Sequence, residues 1–356
     1  LVGSEMCIRD RFGRQTKEFL PYPSGASDLS YQGSAGADVL TYYGSVSTTP
    51  GVGPQEATGN PYSEKFFEPS PLNRIVKQAA PGNAWAGNEG NDNDHTIKYA
   101  YMANSESDGI LMFKAQAGPN VNSNTLSYDI SLVSNGETYP VNQLYKNIVQ
   151  NENKASALTI LNNKNFYLAI EYKNKEGQLV AKQQDYSSYD NYGMPVYDTM
   201  YTYYVYDQFG NLTYVLPPGV GENPSEAVLS GICYSYKYDG RNRLVEKQIP
   251  GKQWEYIVYD VLDRPIMTGP ALTPFGGTTS GVADMGWMVN IYDAFGRVAI
   301  TGWVSGKVSA ATRKTQQVTY GGTSILTAVR GSSTIDGVAI GSVSYTHLRA
   351  HETDSY

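Results

Sequence analysis

Short runs of Tyr, Val and Thr alternate with polar residues along much of the chain, which predicts β-strands rather than helices. Residues 200–205 and 212–216 are two such runs on either side of a polar segment. Residues 234–238 alternate strictly, so three Tyr side chains share one face of the predicted strand. The pattern therefore predicts a mainly all-β protein built from antiparallel hairpins, with few short helices.

A further hairpin signal lies in the first half of the chain. Asn135 and Gly136 separate two runs of strand-forming residues, 130–133 and 137–139. Asn-Gly favours the tight two-residue turns that join antiparallel strands. We therefore expect these two runs to pair with each other.

Helical signals are few. The segment from Asn223 to Gly231 begins with an N-cap residue followed by Pro and ends at Gly, which predicts one short helix. Residues 309–317 predict another. Residues 24–60, rich in Gly, Ser and Thr, and residues 81–94 are expected to form long loops.

A seven-residue pattern beginning with Tyr-Asp recurs four times, and each copy predicts the turn of a β-hairpin. The Asp carboxylate can accept a hydrogen bond from the backbone N–H two residues on. The residue three positions after Asp is Gly, Asn or Asp, the types that tolerate a positive φ. The predicted turn residues are Tyr206, Asp207 and Gly210; Tyr238, Asp239 and Asn242; Tyr259, Asp260 and Asp263; and Tyr292, Asp293, Gly296 and Arg297.

The residue after each turn is also informative. Arg243, Arg264 and Arg297 follow three of the turns and can reach nearby Tyr rings or Asp carboxylates. Residues 12–15 look like the tail of a further copy, and residues 174–177 like a degenerate copy. Such hairpins cannot each bury a face alone, so neighbouring copies are expected to share one continuous surface.

The recurring Tyr-Asp hairpin resembles the YD repeat of RHS proteins. Residues 70–82, 216–218 and 238–254 are similar to stretches of RHS-repeat proteins of Bacteroidetes-type bacteria. The resemblance covers most of residues 12–303. It implies a long β-sheet strip that curls into a hollow shell around a C-terminal toxin, or presents that effector at the cell surface.

The resemblance also implies a function without catalysis. A structural scaffold that is secreted or lies on the bacterial cell surface, used in interbacterial competition, would need no cofactor. Its partners would be the rest of the same RHS chain and its C-terminal effector. No self-cleaving core motif or toxin domain follows the repeats here, so we expect the chain to be a slice of a longer protein.

Both ends of the chain look like translated sequencing-adapter sequence. One allowed back-translation of residues 343–353 has a reverse complement that encodes residues 1–10, a relation that protein function does not explain. The expected organisation is 1–11 and 343–356 as artefact, 12–200 as an irregular β-rich region with long loops, 201–304 as the YD-repeat sheet, and 305–342 as a Gly- and Ser-rich β tail.

Composition narrows the function classes. The net charge of −7 disfavours a nucleic-acid groove, which would need a basic surface, and no apolar run is long enough for a membrane-spanning helix. The 30 Tyr residues make the chain too aromatic for a disordered tail. An adhesin whose exposed Tyr and Trp side chains bind cell-surface carbohydrate remains the alternative to a scaffold.

Candidate catalytic or metal-binding residues are scarce. Once the expected adapter ends are excluded, His95 and Cys233 stand alone. A lone His in a polar loop is most often solvated, and Cys233, expected in an apolar strand, is interpreted as a packed core thiol. The repeated Asp residues could be mistaken for the carboxylate pair of a glycosidase, but their shared turn position favours a structural role. We expect no catalytic, cofactor-binding or metal-binding residues.

Overall fold

The computed structural model describes residues 10, 12–23, 32–47, 53–117, 129–153, 168–189, 192, 195–273, 278–279, 282–283, 285–321, 334–335 and 338–339. The chain divides into two compact units. The first unit comprises residues 1–109 and 139–201, and the second comprises residues 110–138 and 202–356.

Antiparallel strands dominate the described residues, which confirms the predicted fold class. The first half contains β1 (Lys17–Phe19), β2 (Tyr62–Phe67), β3 (Ile75–Ala79), β4 (Ile97–Ala103), β5 (Lys114–Ala117), β6 (Ile130–Val133), β7 (Tyr145–Gln150), β8 (Leu168–Lys173), β9 (Leu179–Tyr189) and β10 (Pro195–Tyr206). The second half contains β11 (Leu212–Leu216), β12 (Tyr234–Tyr238), β13 (Leu244–Gln248), β14 (Glu255–Tyr259), β15 (Pro265–Leu272), β16 (Thr278–Thr279), β17 (Val282–Ala283), β18 (Met285–Tyr292), β19 (Val298–Ser305), β20 (Thr334–Ile335) and β21 (Val338–Ala339). The helices of the described residues are α1 (Ala35–Tyr43), α2 (Glu226–Ile232) and α3 (Ala310–Tyr320), with 3-10 turns at Asn83–Trp85 and Glu106–Asp108.

The first unit contains an antiparallel meander in the order β1-β2-β3-β4-β7-β8-β9. Its buried face carries apolar side chains in the middle of the sheet, where Ile148 pairs with Ile170 and Tyr172 lies two pairs further along, on the same face. Lysines lie on the same face near both ends of this apolar patch: Lys98 pairs across strands with Lys77, and Lys146 with Tyr172. The sheet therefore buries charged groups, which need partners from the loops that cover them.

The loop between β3 and β4 supplies those partners for Lys77 and Lys98. Lys77 Nζ donates to the carbonyl oxygens of Asn88 and Asn91 and lies 3.0 Å from Asp94 Oδ2. Lys98 Nζ lies 3.0 Å from Asp94 Oδ1. Burial raises the pKa of Asp94, but hydrogen bonds from its neighbours outweigh this effect and lower the pKa to about 2.

The second unit contains the meander β10-β11-β12-β13-β14-β15-β18-β19, joined by hairpins and one helical connection. Its apolar core lies between β14, β15 and β18, where Trp287 packs with Val258, Ile266, Met267 and Tyr292. Three separate two-stranded pairs, β5-β6, β16-β17 and β20-β21, complete the described strands of this unit.

Helix α1 lies inside the predicted loop of residues 24–60, so that prediction is wrong for this part. Ala35 and Val39, one turn apart, pack against Tyr22, which explains the helix. The Gly- and Ser-rich composition of the segment hid this short apolar face. Within residues 81–94, by contrast, only the 3-10 turn Asn83–Trp85 interrupts the predicted loop among the described elements.

The predicted pairing around Asn135 and Gly136 is also wrong. Gly136 has a positive φ of 71°, as a turn requires. However, the run 130–133 is β6 and pairs with β5, while Thr138 forms an isolated bridge with Leu111. Both flanking runs therefore pair with residues that precede them in the chain, and the Asn-Gly turn joins them without a two-residue hairpin.

Helix α2 begins and ends later than the sequence predicts. Its N-cap is Ser225 rather than Asn223, because the Ser225 hydroxyl accepts a hydrogen bond from the N–H of Val228. The helix continues through Gly231, and Cys233 is its C-cap residue instead of a strand residue. Helix α3 confirms the predicted second helix and extends it by three residues. Within the described residues no helix is long and apolar enough to cross a membrane.

Candidate functional site

The four Tyr-Asp turns share one hydrogen-bonding pattern, which is clearest in the third. Asp260 Oδ1 accepts hydrogen bonds from the N–H groups of Leu262 and Arg264, both at 2.9 Å. Asp260 Oδ2 lies 2.7 Å from Arg264 Nε. One carboxylate thus binds two backbone N–H groups of the turn and orients the Arg264 side chain that follows it.

The other turns repeat these contacts at the same positions. In each of the other turns the Asp carboxylate accepts hydrogen bonds from the backbone N–H groups two and four residues later. The donors are Phe209 and Asn211 for Asp207, Arg241 and Arg243 for Asp239, and Phe295 and Arg297 for Asp293. In the first turn Asn211 takes the place of Arg and donates from Nδ2 to Asp207 Oδ2. The sequence pattern therefore corresponds to one local structure with a tolerated Arg-to-Asn change.

The residue three positions after Asp adopts a left-handed backbone in every copy. Gly210, Asn242, Asp263 and Gly296 have φ values of 83°, 59°, 63° and 78°. Asn and Asp enter this region more readily than other residues with a Cβ atom, and Gly enters it without strain. This accounts for the three residue types found at one position.

A β-bulge follows each turn, which the sequence did not reveal. In the second copy Tyr238 pairs with Leu244 and Lys237 pairs with Glu246, so Val245 is the extra residue. The same register shift occurs beside Tyr206, Tyr259 and Tyr292. Val245 is completely buried. Its counterparts in the first and third copies, Thr213 and Ile266, are 0% and 3% exposed. In these three copies the bulge thus directs an additional side chain into the interior, whereas the extra residue of the fourth copy, Ala299, is exposed.

Tyrosine hydroxyls connect each repeat to the one before it. The Tyr259 hydroxyl donates to the carbonyl oxygen of Leu244, the residue that follows the preceding turn, at 2.8 Å. The hydroxyls of Tyr238 and Tyr292 make the equivalent bonds to Leu212 and Pro265, each at 3.0 Å. We call these three repeated contacts, made by Tyr238, Tyr259 and Tyr292, the tyrosine ladder.

Arginine side chains reinforce the same connections. The Arg243 guanidinium lies 4.7 Å from the centre of the Tyr259 ring, and that of Arg264 lies 4.5 Å from the centre of the Tyr292 ring. Arg243 and Arg264 therefore each pair with the Asp of their own turn and stack on the Tyr of the next. These contacts explain why Tyr, Asp and Arg recur together.

Polar contacts also join neighbouring turns directly. Asn211 Nδ2 donates to Asn242 Oδ1 at 3.0 Å. Arg241 and Arg243 lie 2.8 and 2.7 Å from the two carboxylate oxygens of Asp263. Asn242 and Asp263 therefore have a second role, since their side chains accept hydrogen bonds from the preceding turn.

Two further turns of this kind lie in the first unit, and sequence reasoning missed one of them completely. Glu68 takes the place of Asp, and Arg74 binds it through Nε and Nη2. Asn73 has a φ of 58°, and the Tyr101 hydroxyl donates to the carbonyl oxygen of Ile75 at 3.0 Å. Two additional residues between Glu68 and Asn73 hid the copy, but the Asn-Arg-Ile sequence after them was a signal that could have revealed it.

The other turn of the first unit includes Asp10, which falls in the segment expected to be adapter sequence. Asp10 accepts from the N–H groups of Phe12 and Arg14, and Gly13 has a φ of 77°. Arg14 stacks 4.5 Å from the centre of the Phe67 ring. The predicted tail of a copy at residues 12–15 is thus preceded by an Asp that makes the same contacts as the Asp of the other turns.

The turn of residues 174–177 is a partial copy. Asn174 Oδ1 accepts from the N–H of Gln178 at 2.8 Å, and Gly177 has a φ of 81°. Its register shift beside Tyr172 matches the bulge of the other copies. Lys173 occupies the place of the ladder tyrosine, so this turn has no phenol hydroxyl there to donate to a neighbour.

Helix α3 lies on the repeat sheet and is held by polar groups. Arg313, 1% exposed, pairs through Nε with Glu246 Oε1 at 3.0 Å. The Gln317 side chain accepts from the N–H of Tyr259 and donates to its carbonyl oxygen. Gln317 thereby satisfies the backbone of Tyr259 at the bulge, where the regular strand pairing is interrupted.

The other candidates offer little chemistry. His95 is half-buried rather than solvated, because Nδ1 contacts the carbonyl oxygen of Glu152 at 2.9 Å and the ring packs edge-on against Trp85. Cys233 is completely buried, which confirms the packed thiol, and burial raises its pKa to about 11. Among the described residues no cluster of His, Cys, Asp or Glu side chains is arranged to hold a metal ion.

Comparison with known proteins gives limited matches. A family profile described as "Domain of unknown function (DUF6443)" matches residues 8–99, the segment that contains the Asp10 and Glu68 turns. No curated protein matches the chain. The profile covers less than half of the chain, so it does not assign the whole chain to a family.

Two solved structures are similar to part of the chain at low identity. They are "Crystal Structure of TcdB2-TccC3-TEV", with 11% identity and a TM-score of 0.22, and "Crystal Structure of TcdB2-TccC3-Cdc42", with 11% identity and a TM-score of 0.21. In both cases the match covers 70% of this chain and 14% of the other chain. TM-scores of this size do not establish a common fold.

Proposed function

We propose that this chain is a segment of an RHS-repeat scaffold of the Bacteroidetes type. The observation that carries the proposal is the tyrosine ladder, in which Tyr238, Tyr259 and Tyr292 each bind the repeat before them. A sheet whose neighbouring hairpins are joined by side-chain as well as backbone hydrogen bonds is suited to form the sheet of a hollow shell. The antiparallel architecture is compatible with an RHS-like protein.

We also propose a role for the complete protein. The complete protein would enclose or present a C-terminal effector, a toxin used in interbacterial competition, and would be secreted or held at the cell surface. The segment itself would be non-catalytic. The buried position of the repeat carboxylates supports this, because Asp239 and Asp260 are 1% and 2% exposed and bound to arginine.

The test uses the complete protein that contains this repeat sheet. Electron microscopy should resolve a hollow particle, and limited proteolysis should leave a C-terminal segment intact inside it. That segment, expressed alone, should stop bacterial growth. A particle without an internal space, or a C-terminal segment that is digested as fast as exposed loops, would contradict the proposal.

A carbohydrate-binding adhesin is the second candidate, and one cleft of the second unit favours it. The cleft has a volume of about 500 Å³, and its lining includes Trp254, Tyr256, Gln253 and Lys307. Half-buried aromatic rings beside amide and ammonium groups suit the apolar faces and hydroxyls of a sugar. A glycan array with the complete protein and its Trp254→Ala variant tests this candidate. Binding that disappears in the variant would support it.

A further inference from the structure

The cleft beside Trp254 differs in charge from the chain as a whole. The chain has a net charge of −7, whereas Lys307 is the only charged residue among the described residues that line the cleft. Lys307 is exposed, and within the described part of the chain it has no ion-pair partner. The cleft therefore presents a cation whose charge is not neutralised by a neighbouring carboxylate.

The segment that carries Lys307 is held in place from both sides. Strand β19 ends at Ser305, and α3 begins at Ala310. Between them, Trp287 Nε1 donates to the carbonyl oxygen of Lys307 at 3.4 Å, and Val308 packs against the core cluster that contains Trp287. The backbone of Lys307 is thus anchored on a buried side chain, although the residue itself is exposed.

The ring of Trp254 is fixed by a short series of charged groups. The Lys237 ammonium lies 5.0 Å from the centre of the Trp254 ring. Lys237 Nζ also lies 3.5 Å from Glu246 Oε2, and Glu246 Oε1 binds Arg313 of α3. Two cations and one anion leave a net positive charge beside the ring. The surroundings of Trp254 therefore favour the same sign of ligand charge as Lys307 does.

The rest of the lining suits a ring-shaped ligand. Trp254, Tyr256 and Pro270 are half-buried and present apolar surface, while Gln253 at the rim supplies an amide. An aromatic face packs well against the apolar face of a sugar ring. The cleft volume of about 500 Å³ is in the range of small-ligand sites. A free inorganic anion would leave the Trp254 ring uncovered, so a ring that carries its own anionic group fits the lining better.

We propose that this cleft binds an acidic saccharide, a pyranose ring that bears a carboxylate. The ring packs on Trp254, and the carboxylate pairs with the Lys307 ammonium. The proposal rests on the carbohydrate-binding candidate of the proposed function and specifies the class of its ligand. It does not depend on the scaffold role.

The experiment titrates the full chain with two soluble hexuronates, tetragalacturonate and tetramannuronate, by isothermal titration calorimetry. The methyl ester of tetragalacturonate is the matched ligand, because it keeps the rings and loses the charge. At least one hexuronate should bind, and tetragalacturonate should bind about fivefold more tightly than its ester. This difference should shrink as the salt concentration rises from about 0.02 M to about 0.5 M, because salt screens an exposed ion pair.

Variants of the chain locate the site. Lys307→Gln should weaken hexuronate binding about fivefold and binding of the ester far less. Trp254→Ala should weaken the binding of acid and ester alike by about tenfold, and Trp254→Phe, which keeps a ring, by less. Lys252→Gln is the matched control, since it removes the same charge two residues before Trp254 from an exposed residue that does not line the cleft, and it should change affinity less than about twofold.

Three results would overturn the proposal. They are the absence of binding by both hexuronates, equal affinity for tetragalacturonate and its ester, and equal effects of Lys307→Gln and Lys252→Gln. The glycan array separates these failures from failure of the carbohydrate-binding candidate. Neutral glycans bound through Trp254 would retain that candidate and refute only the acidic preference, whereas an array without Trp254-dependent binding would refute both.

Discussion

The most direct test of the turn structure compares the same substitution in two turns that differ in burial. Asp260 and Asp293 make the same three contacts, two with backbone N–H groups and one with an arginine Nε. The side chains of Asp260 and Arg264 are 2% and 15% exposed, whereas those of Asp293 and Arg297 are 21% and 69% exposed. Burial is therefore the main difference between the two sites.

The expected loss follows from that difference. Asp260→Ala leaves the Arg264 guanidinium buried without its anion and two turn N–H groups without their acceptor. Removal of one partner of a buried ion pair costs about 3–5 kcal/mol. Asp293→Ala leaves Arg297 in water, where solvent replaces the lost contacts, so its effect should be much smaller.

Urea unfolding monitored by tryptophan fluorescence measures both variants, since Trp287 is buried in the core beside these turns. For an m-value of about 2–3 kcal/mol/M, Asp260→Ala should lower the midpoint by about 1–2 M. Asp260→Asn keeps an oxygen for the N–H groups and should have an intermediate effect. Equal midpoint shifts for the two alanine variants would refute the role assigned to burial.

Four further predictions concern other residues of the two units. Gly296→Val should destabilise the second unit by about 1–2 kcal/mol in urea unfolding, because φ is positive there, whereas Gly296→Asn should have little effect; equal losses would contradict this. Tyr259→Phe should cost about 1 kcal/mol through loss of its ladder hydrogen bond, and a neutral result would remove the ladder from the account of stability. The pKa of Asp94 is lowered from 3.8 to about 2, so its stabilising effect is complete above about pH 4 and is lost as the pH falls through 2. Thermal unfolding of Asp94→Asn should therefore depend less on pH in that range than unfolding of the parent chain. Cys233, buried with a raised pKa, should react with an alkylating agent at pH 8 only after denaturant is added, and rapid labelling of the folded chain would contradict its burial.

The turns were predictable because their contacts are local. Asp207, Asp239, Asp260 and Asp293 bind N–H groups within four residues, so residue types at fixed spacing were enough to identify them. The turn containing Glu68 was missed because two inserted residues break that spacing. Turns of this kind can thus be predicted from the sequence only where the spacing of their residues is regular.

Pairing was less predictable because it depends on competition between distant segments. The run 130–133 has the composition of a strand, and the adjacent Asn-Gly favoured pairing with 137–139. In the fold it pairs with β5 instead. Helix α1 was not predicted for a related reason. Its small apolar face stabilises the helix only because Tyr22 packs against it.

The residues of each repeat specify its turn: the acidic residue that opens it, the residue with positive φ that closes it, and the strand-forming runs on both sides. The partners that each side chain finds across the sheet depend on the fold. The Tyr259 hydroxyl reaches Leu244, and Arg313 reaches Glu246 from helix α3, which follows β19. These contacts depend on strand register and on what covers each face, and neither is encoded in the residues nearest to them in the chain.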